Sequence, residues 1–166
     1  GCEDIALEGF TAGHTDGAYC SGGVLYFDST KSVTVDGCSL YGCGTEGVAA
    51  YGCEDITVTG SEIWNCSQGA VFIYDSKNVS FDNCDFHGIT AELGMFRIIE
   101  SNKFALLNST VRDSSGDIFI SNSGASGVYI GGCEVSNNKF RDMFASELIP
   151  VTVEGCALGD NDIIDW

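Results

Sequence analysis

Proline is almost missing from this chain: Pro150 stands alone among 166 residues. Basic residues are scarce as well, with seven Lys and Arg against 24 Asp and Glu and a formal charge of -17. A nucleic acid backbone is repelled by such a surface, so no nucleic acid partner is expected. No apolar run is long enough to span a bilayer, and no basic stretch leads into an apolar segment, so membrane insertion is not expected either. Apolar spacing never settles to a 3.6-residue period, which excludes helices of ordinary length. There are only two histidines, His14 and His87, and the chain opens Gly1-Cys2-Glu3 without a methionine. That opening reads as an excised domain of a larger protein, residues 1–166 forming one unit. What the chain does hold is 22 Gly, ten Phe, nine Cys and 44% hydrophobic residues, a composition that folds around a core.

The abundant residues recur in order. The string "VTVDGCSL" from Val33 has counterparts starting at Ile5, Ile56, Val79, Phe104, Val128 and Val151, with spacings of 28, 23, 23, 25, 24 and 23 residues. Their shared template is apolar, any, apolar, any, Gly or Asn, small, any, apolar. Apolar residues two apart define a strand face, and a Gly-led strand such as "GAVFIYDS" follows in most units. Identical strings running in one chain direction suit parallel stacking of like on like, because a lone unit has nothing to bury against. The expected fold is all-β, a single-stranded solenoid of about seven coils of 23–28 residues. The pattern resembles the right-handed parallel β-helix family, which includes pectate lyases, polygalacturonases and phage tailspikes. The resemblance implies the right-handed sense and an extracellular or cell-surface location, and it covers nearly the whole chain.

Counting from the first apolar residue of each repeat as zero, position five holds Phe10, Cys38, Ser61, Cys84, Ser109, Cys133 and Cys156. This is an inward bend position where the resembled family often carries stacked Asn. Position seven, from Ala12 through Leu40 to Leu158, reads as core. Position ten pairs Cys43 with Cys66, and Cys2 and Cys53 precede their repeats by three. The thiols are thus spread along the rod as small buried side chains. A zinc or iron–sulfur centre would need several of them converging on one point, and neither metal nor cofactor is expected. Disulfides Cys43–Cys66 and Cys133–Cys156 remain open alternatives.

Position eight faces outward and reads Gly13, Tyr41, Trp64, His87, Arg112, Ser136, Gly159. Tyr41, Trp64, His87 and Arg112 are the candidate ligand-binding residues, because rings beside carboxylates and a guanidinium are what a sugar polymer requires. Glu62 and Asp85 sit alongside at position six, and with His87 they are the candidate catalytic groups. Two carboxyls about one coil apart suit retaining glycoside hydrolysis. A second candidate strip takes Tyr26, Phe72, Arg97 and Phe119, with Ala50 in its gap. Acids at position three read as a solvated face. The binding reading asks less of these residues than catalysis does, and a structural role, the rod serving as a spacer, asks least. It describes a non-catalytic β-helix module of a surface or secreted protein, binding carbohydrate or serving as a scaffold. The alternative is a polysaccharide-degrading hydrolase or lyase that uses the outward acidic and aromatic strip.

Two segments depart from the repeat. "TAGHTDGAYCSGG" from Thr11 is the longest excursion, and "NKFRDMFASELIP" replaces the expected Gly-led strand of the sixth unit, as a distorted coil or a flap. Neither end shows a cap, so end-to-end or face-to-face self-association and contacts with other domains of the parent protein are expected partners beside polysaccharide.

Overall fold

Every repeat of the template bends at the same place for the same reason. Its Gly-or-Asn position is left-handed in all seven copies: Gly9, Gly37, Gly60, Asn83, Asn108, Gly132 and Gly155 have φ between 46° and 65°. Gly and Asn are the residues that reach this region at least cost. The bend turns the chain from one strand into a second, short one, so the quoted string spans two strands. A computed structural model describes residues 1–14, 22–42, 44, 46–145 and 150–165. In it each coil has three strands, and the fourth adds a two-residue strand, Thr90–Ala91, that pairs with Ser115–Ser123.

The first sheet stacks Glu3–Glu8, Lys31–Asp36, Glu54–Thr59, Lys77–Asp82, Asn102–Leu107, Ser126–Gly131 and Val151–Glu154. The second stacks three-residue strands, among them Ser39–Tyr41, Glu62–Trp64, Asp85–His87 and Thr110–Arg112. The third runs from Leu25–Asp28 through Glu46–Tyr51, Gly69–Tyr74, Phe96–Ile99, Ser115–Ser123 and Lys139–Phe144 to Asp162–Asp165. All neighbours are parallel and in register, as in Val33↔Ile56 and Ile56↔Val79. At about 4.8 Å per coil, seven coils make a rod about 30 Å long.

The remaining two bends also carry a left-handed residue, followed in most described coils by a small inward one. Ser29, Gly52, Asp75, Glu100 and Gly124 precede Thr30, Cys53, Ser76, Ser101 and Ala125 at one corner, and Gly42, Asn65, Gly88, Asp113 and Asn137 mark the other. The inward residues close their own turns. Ser61 Oγ donates to Thr59 O at 2.9 Å and accepts the Cys38 N–H at 3.1 Å, which ties one coil to the next. Ser76 does the same between Tyr74 O and the Cys53 N–H. Buried backbone donors at the bends thereby find partners inside the rod. Asn also appears in this role, at position ten: Asn138 Oδ1 accepts the Ser114 N–H and Asn161 Oδ1 accepts the Asn138 N–H, each at 3.0 Å.

Between the sheets lies a column of aromatic rings. Phe81, Phe86, Phe96, Phe104, Phe119 and Phe140 are all essentially inaccessible, and Phe119 makes edge contacts with Phe96 and Phe140 at 5.5 and 5.4 Å. Phe119 therefore belongs to the core and not to an outward strip. The strip on the third sheet is Tyr26, Ala49, Phe72, Arg97 and Ser121, so the gap residue is Ala49, while Ala50 points inward. Leu158, expected in the core, is 46% exposed because no described coil covers the outer side of its own. As far as Phe144 the sixth unit is a regular coil, residues 146–149 of the expected flap lying outside the described ones. Lys139–Phe144 pairs on both sides, with Phe140 and Met143 turned into the core. Asp16, Cys20 and Cys43, and with them the Cys43–Cys66 pair, lie outside the described residues. Cys133 and Cys156 are free thiols.

Candidate functional site

The second sheet builds its outward face from strands of three residues, so each strand offers two outward side chains and one inward one. Pairing Ser39↔Glu62↔Asp85↔Thr110 and Tyr41↔Trp64↔His87↔Arg112 lays two adjacent rows along the rod. Tyr41, Trp64, His87 and Arg112 do form one row, and Glu62 and Asp85 stand next to it, as the repeat arithmetic required. All are half-buried.

The rings stack on one another. Tyr41 and Trp64 lie 4.8 Å apart at 18°, and Trp64 and His87 lie 5.9 Å apart at 6°. Tyr41 also covers Gly13, where an added Cβ would sit 2.7 Å from ring carbons. Ring faces are thereby spent within the column, and ring edges are what the row turns to solvent.

A chain of hydrogen bonds crosses between the rows. Trp64 Nε1–H donates to Ser39 Oγ at 3.1 Å, Ser39 Oγ–H donates to Glu62 Oε2 at 2.9 Å, and Glu62 Oε1 lies 2.9 Å from His87 Nε2. A carboxylate only accepts, so Nε2 carries the proton and Nδ1 is the basic nitrogen of the neutral ring. The His87 hydrogen bond, helped by Ser39, holds Glu62 below the usual carboxylate range against the opposing effect of partial burial. Arg112 reaches Asp85 Oδ2 at 2.7 Å and Asp113 Oδ2 at 3.0 Å. The Asp85 bond raises the guanidinium pKa further, while Asn137 and then Arg112 lower that of Asp113. Asp85 Oδ1 is sheltered from solvent and has no hydrogen-bond partner among the described residues. One donor atom from each of Glu62, Asp85 and His87 falls within 4.8 Å of the others.

Ser39 escaped the sequence reading because a serine at an outward strand position carries no signal of its own. On the third sheet the offered strip Tyr26, Phe72 and Arg97 is joined by Tyr51 and Tyr74, which the sequence reading left out. Tyr51 lies 5.2 Å from Tyr26, 5.2 Å from Phe72 and 6.1 Å from Tyr74, and the Arg97 guanidinium sits 4.3 Å above the Phe72 ring. Arg97 also binds the buried Glu46 at 3.3 Å. Tyr51 and Tyr74 are one repeat apart and were legible as a column; Glu46 and Arg97, two coils apart, were not. His14 is not part of either cluster.

A family model described as right handed beta helix region matches residues 16–163. Among solved structures, the chain overlays ORF18 of Geobacillus virus E2 at 13% identity and a TM-score of 0.52, covering 98% of this chain and 43% of that one. It overlays the periplasmic alginate epimerase AlgG at 12% identity and a TM-score of 0.50, covering 97% and 45% respectively. The chain thus spans less than half the length of either structure. No curated protein matches the sequence.

Proposed function

Since this chain belongs to the right-handed β-helix family, whose folded unit is a rod with flat walls, we propose that it is a module of a secreted or cell-surface protein that binds an extended polysaccharide along its second sheet. The observation that carries this reading is the unbroken row Tyr41, Trp64, His87 and Arg112 beside Glu62 and Asp85. A polymer laid parallel to the axis meets an apolar ring edge, an imidazole and a guanidinium at successive coils, with carboxylates next to them for its hydroxyls. Neither the depression near Lys31, Glu54 and Lys77 nor the one near Ile5, Val33 and Thr57 touches this row. The net charge of -17 favours neutral over acidic polymers. In affinity electrophoresis against neutral and uronate polysaccharides, Trp64→Ala is expected to weaken retardation by about fivefold, as loss of a ring contact does. Retardation unchanged in both Trp64→Ala and Arg112→Gln would set this reading aside.

A polysaccharide-acting enzyme is the second reading, and the Glu62–His87 pair favours it. A carboxylate that fixes Nε2–H leaves Nδ1 to take a proton, with Arg112 beside it to neutralise an acidic sugar. Carboxylate-pair hydrolysis fits less well, because one of its two carboxyls must be protonated at working pH, whereas His87 holds Glu62 below the usual range and Asp85 is ion-paired with Arg112. The alginate epimerase among the overlaid structures is a polysaccharide enzyme by name, and at 12% identity that likeness carries the fold alone. Appearance of unsaturated or epimerised products from a polyuronate panel, lost in His87→Gln, would favour the enzyme over the binding module.

A further inference from the structure

We propose that Glu62, Asp85 and His87 form a binding site for a divalent first-row transition-metal ion of the zinc class. Two observations carry it, and neither depends on carbohydrate. The first is the donor set: two carboxylates and one imidazole, one atom from each lying within 4.8 Å of the others. Glu62 Oε1 to His87 Nε2 is 2.9 Å and His87 Nε2 to Asp85 Oδ2 is 4.0 Å. Ligands about 2.1 Å from one ion stand about 3–3.5 Å apart, so small side-chain rotations close the set. The second is Asp85 Oδ1, an oxygen out of reach of solvent and without a hydrogen-bond partner among the described residues. A turn of the Asp85 carboxylate, whose nearer oxygen to His87 is Oδ2, would bring Oδ1 to the ion, since a carboxylate binds through either oxygen or both.

The three donors come from two neighbouring strands in register, Asp85 opposite Glu62 and His87 two residues on. This platform is rigid, and it presents all three on one face. Binding at Nε2 needs its proton to move to Nδ1, which the neutral imidazole does by changing tautomer, so no proton has to leave the ring. An imidazole beside carboxylates selects zinc, cobalt or nickel over calcium and magnesium, which take oxygen donors in larger number. Arg112 holds Asp85 Oδ2 at 2.7 Å and opposes the ion, yet Glu62, Asp85 and Asp113 outweigh its single charge. An ion here would also occupy the histidine that the enzyme reading uses as a base.

Isothermal titration of the full chain with ZnCl2 in the absence of carbohydrate tests the site. One ion per chain is expected, with binding weakened at least about tenfold in Glu62→Gln and in His87→Gln and unchanged in His14→Gln. Zinc binding retained in full by both Glu62→Gln and His87→Gln would place it elsewhere on the chain and overturn the proposal, as would no binding at all. Should either variant fail to fold, Co2+ absorption of the unaltered chain decides. Ligand-field bands without a thiolate charge-transfer band are expected, and a thiolate band or an unchanged spectrum counts against the site. Metal binding without polysaccharide binding would leave this inference intact, and the converse would leave the other.

Discussion

Lys103 adopts a left-handed backbone, φ 60°, at a position where the neighbouring coils carry Asn78 and Gly127. A lysine there bears the clash of its Cβ with the carbonyl that follows, a cost of about 1 kcal/mol. Asn tolerates the region, and Asn78 already donates from Nδ2 to Asp55 Oδ1 one coil away at 2.8 Å. Lys103→Asn should therefore stabilise the fold by about 0.5–1 kcal/mol, read as a higher midpoint in urea. A midpoint that falls would mean the strain is relieved by a contact of the lysine stem. The thiols allow a second test at this scale. Burial pushes Cys84 up to about 11 and raises Cys133, so neither forms a thiolate near neutral pH. Alkylation of the native chain at about pH 8 should mark the exposed Cys2 first and leave Cys84 and Cys133 until denaturant is added.

Each corner is the element that makes a coil. Asn138 does most there: its Oδ1 takes the Ser114 N–H while its Nδ2 donates to Val111 O and Ser136 O, both at 2.9 Å. Asn138→Ala strands these buried groups and should cost about 2–3 kcal/mol, and Asn138→Ser should recover part of it, since Ser114 fills the equivalent place one coil earlier. Equal loss in both variants would show that the amide only fills space. The corners also explain what could be read without coordinates. A Gly-or-Asn, small pair recurring in six of the seven repeats, with Phe10 the exception, fixed the bend, the register and hence the Tyr41–Trp64–His87–Arg112 row. The third strand was harder, because in the sixth unit Phe140 stands opposite the Gly116 that leads the fifth, and only the inward Phe140 and Met143 mark it. Phe119 was misplaced for a related reason: its strand runs nine residues, Ser115–Ser123, and counting from its start loses the phase of the neighbouring Phe96–Ile99. The site geometry was less legible still. Repeat counting brings Glu62, Asp85 and His87 together, but the turning of ring faces onto one another depends on rotamers, which spacing does not encode.

At the scale of the molecule, acid acts through two opposed effects. Glu62, Glu54 and Asp113 all sit below their ordinary carboxylate range when folded. Their stabilisation is complete above the unfolded range and is lost as pH falls through the depressed values. Relief of self-repulsion in a chain of charge -17 works the other way. Comparing variants separates them. The melting temperature of Glu62→Gln should lie below that of the parent chain near pH 7, and the gap should close below about pH 4, because both proteins share the general field. A gap that persists in acid would assign the loss to packing instead of charge. Equal bends and in-register pairing have one more consequence, which concerns how such a chain changes over generations. Ile56–Asn78 is one complete turn of 23 residues, and deleting it joins Asp55 to Val79 at matching points of the template. Trp64 and Glu62 would vanish together, and Tyr41 would come to face His87. Slippage of the gene by whole repeats can thus lengthen, shorten or reshuffle the face this protein shows its surroundings while leaving every surviving joint intact.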